Sequence, residues 1–258
     1  MQLYTDDEIQ AVRYYIGDVR NLPEDGFWND PKAYCLLNAL FFPDITAEAF
    51  RSAEGKKLNP ELLADVPRLT SLLENLCSVF RKSSAKRHYR TFRVERFTDY
   101  ALMRKAGKTI SFTSTSCAGF LKAYQDRRGI ALLKFDIPEN TPCIVMQDFF
   151  PEYAKPEEAE ILLPPCIKLR FETLPFSEQE QHILDAHGAP PLCSCAVTVQ
   201  NAFLPDAPPC SDIPEGGNLA GMRVIQALQK HQTPDKQDIA LYSLWKQIFL
   251  HEILKKYF

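Results

Sequence analysis

The hydrophobic period of this chain changes near residue 85, and this change constrains the fold more than any other feature. Before it, apolar residues recur every three or four positions, as in Leu69, Leu72, Leu73 and Leu76, which predicts amphipathic helices. From His88 onward, apolar residues alternate or form short runs rich in β-formers, which predicts strands. Helices followed by strands, without regular alternation, favour an α+β fold with a largely antiparallel core.

Local signals place the predicted elements. Thr5-Asp6-Asp7-Glu8 is a capping box that opens the first helix, and Asp30-Pro31 opens the second. Further helices are predicted from 60, over 67–82, 97–106, 177–186 and 218–231, and from 234 to the end. Strands are predicted over 88–96, 109–116, 131–137, 143–147, 160–164, 167–173 and 193–199. We expect one domain over 1–201, with a helical start over 1–84 and a β core over 85–201. Residues 202–258 are expected to form a loop and a helical extension packed on that core.

Length and composition exclude several classes of protein. The 258 residues, with 45% apolar content and a net charge of -3, provide ample material for a core and give no general sign of nucleic-acid or membrane binding. No apolar run approaches the roughly 20 residues that span a bilayer. The eight cysteines lack the spacing of a disulfide framework, and the one close pair, Cys193 and Cys195, has no histidine partner. We expect mostly buried free thiols and no metal site.

Two carboxylates, Glu158 and Glu160, precede the apolar run 161–165. In a strand, residues two apart project from the same face, and two like charges this close raise the pKa of one or require a cation. A carboxylate pair on a rigid strand suits an enzyme that stabilises a cationic sugar and steers a nucleophile toward it. Taken alone, the pair is better explained as a solvated face of an edge strand.

Two other motifs precede this pair. An arginine follows an aromatic residue in Thr91-Phe92-Arg93-Val94, and a polar strand contains Ser111-Phe112-Thr113-Ser114-Thr115-Ser116. In this order, across residues 90–170, the three motifs resemble the Arg, Ser-Thr-Ser and Glu-x-Glu signature of the mono-ADP-ribosyltransferases of the cholera-toxin-like and clostridial-toxin-like class. The resemblance implies an ADP-ribosyltransferase-like split β-sandwich with helices before it. It also implies an enzyme that uses NAD as its co-substrate.

The resemblance implies a role for each site residue. Glu160 would stabilise the oxocarbenium-like cation that forms when nicotinamide leaves the ribose, and Ser114 would hold Glu160 by a hydrogen bond. Arg93 would bind the diphosphate through its fork of donors. Arg90, which also follows an aromatic residue, is the alternative diphosphate ligand. The remaining candidates for contact with NAD are Thr115, Ser116 and Phe120.

Glu158 is the residue that bears on the acceptor. In the family that the chain resembles, a glutamate here usually accompanies modification of arginine, and a carboxylate pairs with a guanidinium far better than an amide does. The segment 148–156 resembles the family's substrate-recognition loop, in which Phe150 or Tyr153 would contact the target. We therefore expect a protein target that presents an arginine, and the class admits an inhibitor or antitoxin protein as a second partner.

Several alternatives stay open. A nucleic-acid acceptor, RNA or DNA, would suit a basic run, although a solvated helix end and strand face is the simpler explanation of that run. Water as acceptor would make the chain an NAD glycohydrolase, and a degenerate domain that binds NAD or a partner is the alternative without catalysis. The basic run comprises Arg81, Lys82, Lys86, Arg87, Arg90, Arg93 and Arg96. The polar, acidic start lacks a secretory signal, which predicts a cytoplasmic enzyme or an effector toxin delivered by a dedicated system, of bacterial or phage origin.

Overall fold

The computed structural model describes residues 3–18, 33–42, 60–117, 130–156, 158–187, 193–208 and 210–258. The chain divides into two compact units, Met1–Arg81 with Pro205–Phe258, and Lys82–Leu204. This division groups the N-terminal helices with the C-terminal segment, whereas the sequence predicted one domain over 1–201. The predicted domain and its extension over 202–258 stay a prediction.

In the described part of the chain, helices precede and follow the strands and also lie between some of them. In chain order the elements are α1 (Asp6–Ile16), α2 (Ala33–Phe41), a 3-10 helix (Pro60–Leu63), α3 (Val66–Lys82), β1 (Tyr89–Arg96), α4 (Phe97–Ala106), β2 (Thr113–Ser116), β3 (Ile130–Ile137), β4 (Ile144–Val145), α5 (Met146–Phe149), β5 (Glu160–Leu163), β6 (Ile167–Leu174), α6 (Glu178–His187), β7 (Cys193–Phe203), α7 (Gly217–Gln229) and α8 (Lys236–Tyr257). The predicted α+β class is confirmed.

The unit formed by Met1–Arg81 and Pro205–Phe258 is helical where it is described. The predicted capping box of α1 is confirmed, because the Thr5 amide donates to Glu8 Oε2 at 2.8 Å and the Glu8 amide donates to Thr5 Oγ1 at 3.3 Å. Ser78 Oγ donates to the other oxygen of Glu8 at 2.6 Å, which ties α1 to α3. The predicted start of the second helix at Asp30-Pro31 lies outside the described residues.

Where it is described, the unit Lys82–Leu204 contains one sheet of seven strands in the order β4-β5-β2-β1-β3-β7-β6. Neighbouring strands are antiparallel except β3 and β7, which run parallel. A single residue pair, Phe92 with Ser116, joins β1 to β2. The β core is therefore divided into two halves, β4-β5-β2 and β1-β3-β7-β6, that meet at this pair, as the predicted split architecture requires.

A hydrophobic core cluster of this unit lies on one face of the sheet. Buried apolar side chains from six strands contribute to it, among them Leu133, Phe135, Ile161, Cys195 and Val197. Among the described cysteines the structure has no disulfide, and four thiols are buried, namely Cys77, Cys143, Cys166 and Cys195.

Three predicted strands differ from the structure by more than one residue, and one of them, predicted over 193–199, continues to Phe203 as β7. The predicted strand 143–147 is wrong beyond Val145, because the chain turns into the short helix α5 at Met146. The predicted strand 109–116 forms β2 only from Thr113. The Thr109 amide instead donates to the Ile167 carbonyl at 3.0 Å, so this stretch of backbone pairs with the start of β6.

Candidate active site

Ser114 and Glu160 lie next to each other on neighbouring strands. β2 and β5 are antiparallel, with Ser116 opposite Glu160 and Ser114 opposite Leu162, so Ser114 and Glu160 are diagonal neighbours on one face. Ser114 Oγ donates to Glu160 Oε1 at 2.5 Å. The second and third motifs of the sequence are thus joined by a direct hydrogen bond between side chains.

Arg93 brings the first motif to the same place. Its Nη1 donates to the backbone carbonyl of Ser114 at 2.7 Å, and its Nε donates to Glu95 Oε1 at 2.6 Å. Glu95 also forms an ion pair with Nη2, and 31% of the Arg93 side chain remains exposed. Ser114 is therefore the common partner, through its carbonyl to Arg93 and through its hydroxyl to Glu160.

Arg90 lies elsewhere on β1. It is exposed and stands opposite Asp136 of β3 in the register of the sheet. Within the described part of the chain, Arg93 has a hydrogen bond to the Ser-Thr-Ser segment, and none is found from Arg90 to Ser114 or Glu160. The choice of Arg93 over Arg90 as the NAD-binding arginine stays a prediction.

The environment of Glu160 disfavours its charged form. Burial raises the pKa of Glu160, the hydrogen bond from Ser114 lowers it, and the negative charge of Glu158 raises it further. The charges of Lys155 and Arg93 act in the opposite sense to a smaller extent. The net effect is a raised pKa, which places the proton equilibrium of this carboxyl closer to neutral pH than that of an ordinary glutamate.

Glu158 does not lie on the strand with Glu160. β5 begins at Glu160, Glu158 lies in a turn, and Ala159 between them has a φ of 43° in the left-handed region. The prediction that both carboxylates project from one strand face is therefore wrong. Glu158 is 45% exposed, and its Oε1 lies 3.2 Å from Lys155 Nζ. The two carboxylates thus occupy different environments.

The other sequence-predicted residues are placed as follows. Thr115 alternates to the opposite side of β2, where it is 2% exposed and donates to the Ile161 carbonyl at 3.0 Å, so it supports the pairing of β2 and β5. Ser116 Oγ donates to the backbone carbonyl of Glu158.

Phe120 lies outside the described residues. In the predicted recognition loop, Phe150 is buried and Tyr153 is partly exposed, so Tyr153 is the better placed of the two to contact a target.

Two residues at the site were missed by sequence reasoning. Glu95 follows Arg93 by two positions on β1, which places it on the same strand face, and Lys155 precedes Glu158 by three positions in the turn. The alternation of β1 could have indicated Glu95. The turn that brings Lys155 to Glu158 has no glycine or asparagine to mark its left-handed residue.

The polar groups of this site fit NAD chemically. A partly exposed guanidinium suits a diphosphate, and a carboxylate with a nearby hydroxyl suits a ribose. Among the residues that the structure describes, no group of three or more His, Cys, Asp or Glu side chains is arranged to hold a metal ion. No helix in the same residues is long and apolar enough to cross a membrane.

No protein-family model matches this sequence, and no curated protein is similar to it. Among solved structures, an ADP-ribosyltransferase from Clostridium botulinum is 12% identical over 77% of this chain and 88% of its own, with a TM-score of 0.44. An ADP-ribosyltransferase toxin from Paenibacillus larvae is 14% identical over 76% of this chain and 87% of its own, with a TM-score of 0.42. The ADP-ribosylating component of a binary enterotoxin of C. perfringens, solved with NADH, is 12% identical, with a TM-score of 0.45, and the match covers 76% of this chain and 44% of that component. All three of these solved structures are of bacterial ADP-ribosylating proteins.

Proposed function

We propose that this chain is a mono-ADP-ribosyltransferase that transfers ADP-ribose from NAD to an arginine side chain of a protein target. The observation that carries this proposal is the hydrogen bond of 2.5 Å from Ser114 Oγ to Glu160 Oε1, with the Arg93 guanidinium on the carbonyl of the same serine. Three motifs that are separate in the sequence converge on Ser114, and together they supply the groups that the reaction needs.

The reaction breaks the bond between nicotinamide and ribose. The electron pair of that bond leaves with the nicotinamide, and positive charge develops on the ribose as in glycoside cleavage. Glu160 in its carboxylate form would stabilise that charge, because a preorganised anion in a partly buried site acts through a low local dielectric. Ser114 keeps the carboxylate in one orientation. Arg93 would bind the diphosphate and thereby hold the ribose beside Glu160.

Glu158 would bind the acceptor and take its proton. A guanidinium pairs with a carboxylate through two parallel hydrogen bonds, and the exposed Glu158 carboxylate is accessible to a side chain from another protein. A guanidinium nitrogen would attack the ribose carbon, and the proton that it loses would pass to Glu158. This division of roles gives Glu160 to the donor half of the reaction and Glu158 to the acceptor half.

Labelling of a cell lysate tests the proposal. The purified chain is incubated with lysate and with NAD labelled in its adenylate part, and the products are digested with protease or with nuclease. We expect label on protein that protease releases, and its loss in Glu160→Gln. Glu158→Gln should lose transfer while it keeps some hydrolysis of NAD. Glu178→Gln, at an exposed glutamate that begins α6 outside the predicted recognition loop, is the matched control and should label as the wild type does.

A nucleic-acid acceptor is the second candidate, and one observation favours it. Lys86 and Arg87 are exposed beside aromatic rings, with Lys86 Nζ 5.0 Å from the centre of the Phe149 ring and Arg87 Cζ 5.1 Å from that of Tyr89. Exposed cations of this kind are suited to a phosphate backbone. Label that resists protease and disappears with nuclease would replace the arginine proposal with this one. Nicotinamide release without any labelled polymer would leave a glycohydrolase.

A further inference from the structure

We propose that Ser116 and Ala159 are positioning residues for the acceptor carboxylate Glu158. The two serines of the Ser-Thr-Ser motif then serve different glutamates, Ser114 the carboxylate of Glu160 and Ser116 the backbone of Glu158. This inference rests on the proposed function, because it assigns the partition of ADP-ribose between the acceptor and water to a short segment beside the site.

The contacts of the two serines differ in kind. Ser114 Oγ donates to a side-chain oxygen of Glu160, which lies on β5. Ser116 Oγ donates to the main-chain carbonyl of Glu158, which lies in the turn before β5. A contact to a carboxylate acts on the charge of that group, whereas a contact to a carbonyl fixes the path of the chain. Ser116 is therefore placed to determine where the Glu158 side chain begins.

The backbone at Ala159 explains why this path needs to be fixed. A φ of 43° is sparsely populated by residues that have a Cβ atom, because the Cβ approaches the neighbouring carbonyl. Such conformations persist where the surrounding contacts over-determine them, and they cluster at functional sites. Here the left-handed residue turns the chain between the two glutamates, so that Glu160 enters the sheet and Glu158 does not.

Among the described residues, four hydrogen bonds hold the backbone of this segment. The amides of Glu158 and Ala159 both donate to the Lys155 carbonyl, at 2.9 and 3.2 Å, and the Cys117 amide donates to the Ala159 carbonyl at 3.0 Å. The fourth is the bond from Ser116 Oγ. Of these four hydrogen bonds, only the bond from Ser116 Oγ involves a side chain. A substitution at Ser116 can therefore remove it without a change to the backbone.

Loss of the Ser116 contact would change how ADP-ribose is divided between the acceptor and water. Glu160 is held by Ser114 and by the pairing of β5, so it keeps its place when Ser116 is altered. Glu158 would lose a constraint on its backbone, and the acceptor guanidinium would be held less well against the ribose. Water would then intercept a larger share of the cation. Ser116 thus affects the ratio of transfer to hydrolysis, whereas a direct contact with NAD would change both rates together.

The test compares Ser116→Ala with Ser116→Thr, which keeps the hydroxyl. Transfer to agmatine, a small guanidinium acceptor, and release of free ADP-ribose are measured in the same reaction. We expect the ratio of transfer to hydrolysis to fall roughly three- to tenfold in Ser116→Ala, the effect of one hydrogen bond of ordinary net strength, and Ser116→Thr to restore most of it. An unchanged ratio with both rates lowered would overturn the proposal.

Ala159 provides a second, independent pair of variants. Ala159→Gly accepts a positive φ without strain and should keep the ratio near that of the wild type. Ala159→Val disfavours a positive φ, because valine is β-branched, and should lower the ratio of transfer to hydrolysis as Ser116→Ala does. Equal ratios in the glycine and valine variants would contradict the role of the left-handed turn.

Failure of the proposed function can be distinguished from failure of this inference. If the wild type neither cleaves NAD nor modifies agmatine, the proposed function fails, and amide hydrogen exchange still tests the contact. Faster exchange at Glu158 and Ala159 in Ser116→Ala, with exchange in β3 unchanged, supports the positioning role. Exchange rates equal to those of the wild type at both amides overturn it.

Discussion

At Glu160, burial and hydrogen bonding act in opposite directions. Burial favours the neutral acid and raises the pKa, while the Ser114 hydroxyl favours the carboxylate and lowers it. The proposed chemistry needs the carboxylate, because a neutral acid cannot stabilise a cation. The serine therefore has an electrostatic role in addition to its role in orientation.

The pH dependence of NAD cleavage follows from this opposition. Activity should rise as pH increases through the pKa of Glu160, because the carboxylate is the active form. Ser114→Ala removes the contact that lowers this pKa, so we expect the rising limb of the profile to move to higher pH. Nicotinamide release measured across pH checks this, with Ser116→Ala as the control that should leave the limb in place. A limb that does not move in Ser114→Ala would contradict the assignment.

A raised pKa also has a consequence for stability. The folded state binds the Glu160 proton more tightly than the unfolded state, so stability decreases as pH rises through the interval between the unfolded and folded pKa values. Glu160→Gln removes this penalty and should be more stable than the wild type at pH 7. The difference should vanish below the unfolded pKa, where both states are protonated. Urea unfolding of both proteins at pH 7 and at a pH below the unfolded pKa measures this difference in stability. An equal difference at the two pH values would rule out a titration effect.

Arg93 and Arg90 should differ in their importance for NAD. Arg93 is held by Glu95 and the Ser114 carbonyl, and lysine cannot reproduce the fork of a guanidinium. We expect Arg93→Lys to lower kcat/KM for NAD by roughly 10- to 100-fold, the range of a charged hydrogen bond, and Arg90→Lys to change it less than about threefold. Larger loss in Arg90→Lys would reverse the assignment.

At the scale of single residues, the sequence predicted part of the site and missed part of it. The types and order of Arg93, Ser114 and Glu160 can be read from the chain, and the structure brings these residues into contact. The turn at Ala159 could not be predicted, because alanine gives no local signal for a left-handed conformation. Contacts from Ser116 and Lys155 impose it, and they depend on the neighbouring strand and turn.

At the scale of elements, local signals decided which predictions succeeded. Helix α4 matches its predicted range residue for residue, and Gly107 ends it with a φ of 65° and an amide bonded to the Met103 carbonyl. The predicted strand 143–147 failed because its apolar run continues into α5, and a short apolar run does not distinguish a strand from a helix. Strand lengths such as that of β2 depend on pairing partners that the local sequence does not specify.

The start of α7 provides a test at this scale. A Cβ at Gly217 would lie 2.2 Å from the Cβ of Trp245, whereas a Cβ at Gly216 would meet nothing within 4 Å. We expect Gly217→Ala to cost about 1–3 kcal/mol of stability through overpacking. Gly216 has a φ of 73°, so Gly216→Ala should cost about 1 kcal/mol through backbone strain alone. Urea unfolding of the two variants decides the order, and a larger cost at Gly216 would contradict the close packing.

At the scale of the whole molecule, the candidate site lies within the unit Lys82–Leu204, where the halves of the sheet meet at Phe92 and Ser116. The strand that carries the serines belongs to one half, and the strand that carries Arg93 belongs to the other. The sequence predicted the class and the largely antiparallel sheet. It could not predict the parallel pair of β3 and β7, because pairing between strands far apart in the chain is decided by tertiary packing.

The most direct test of the central claim is the release of nicotinamide from NAD by the purified chain, compared between the wild type and Glu160→Gln. The claim is that Glu160, held by Ser114, stabilises the cation formed in this cleavage. The wild type should release nicotinamide, and Glu160→Gln should do so at least about 100-fold more slowly, as expected when a group that stabilises transition-state charge is removed. A wild type that leaves NAD intact, or a variant as fast as the wild type, would contradict the account.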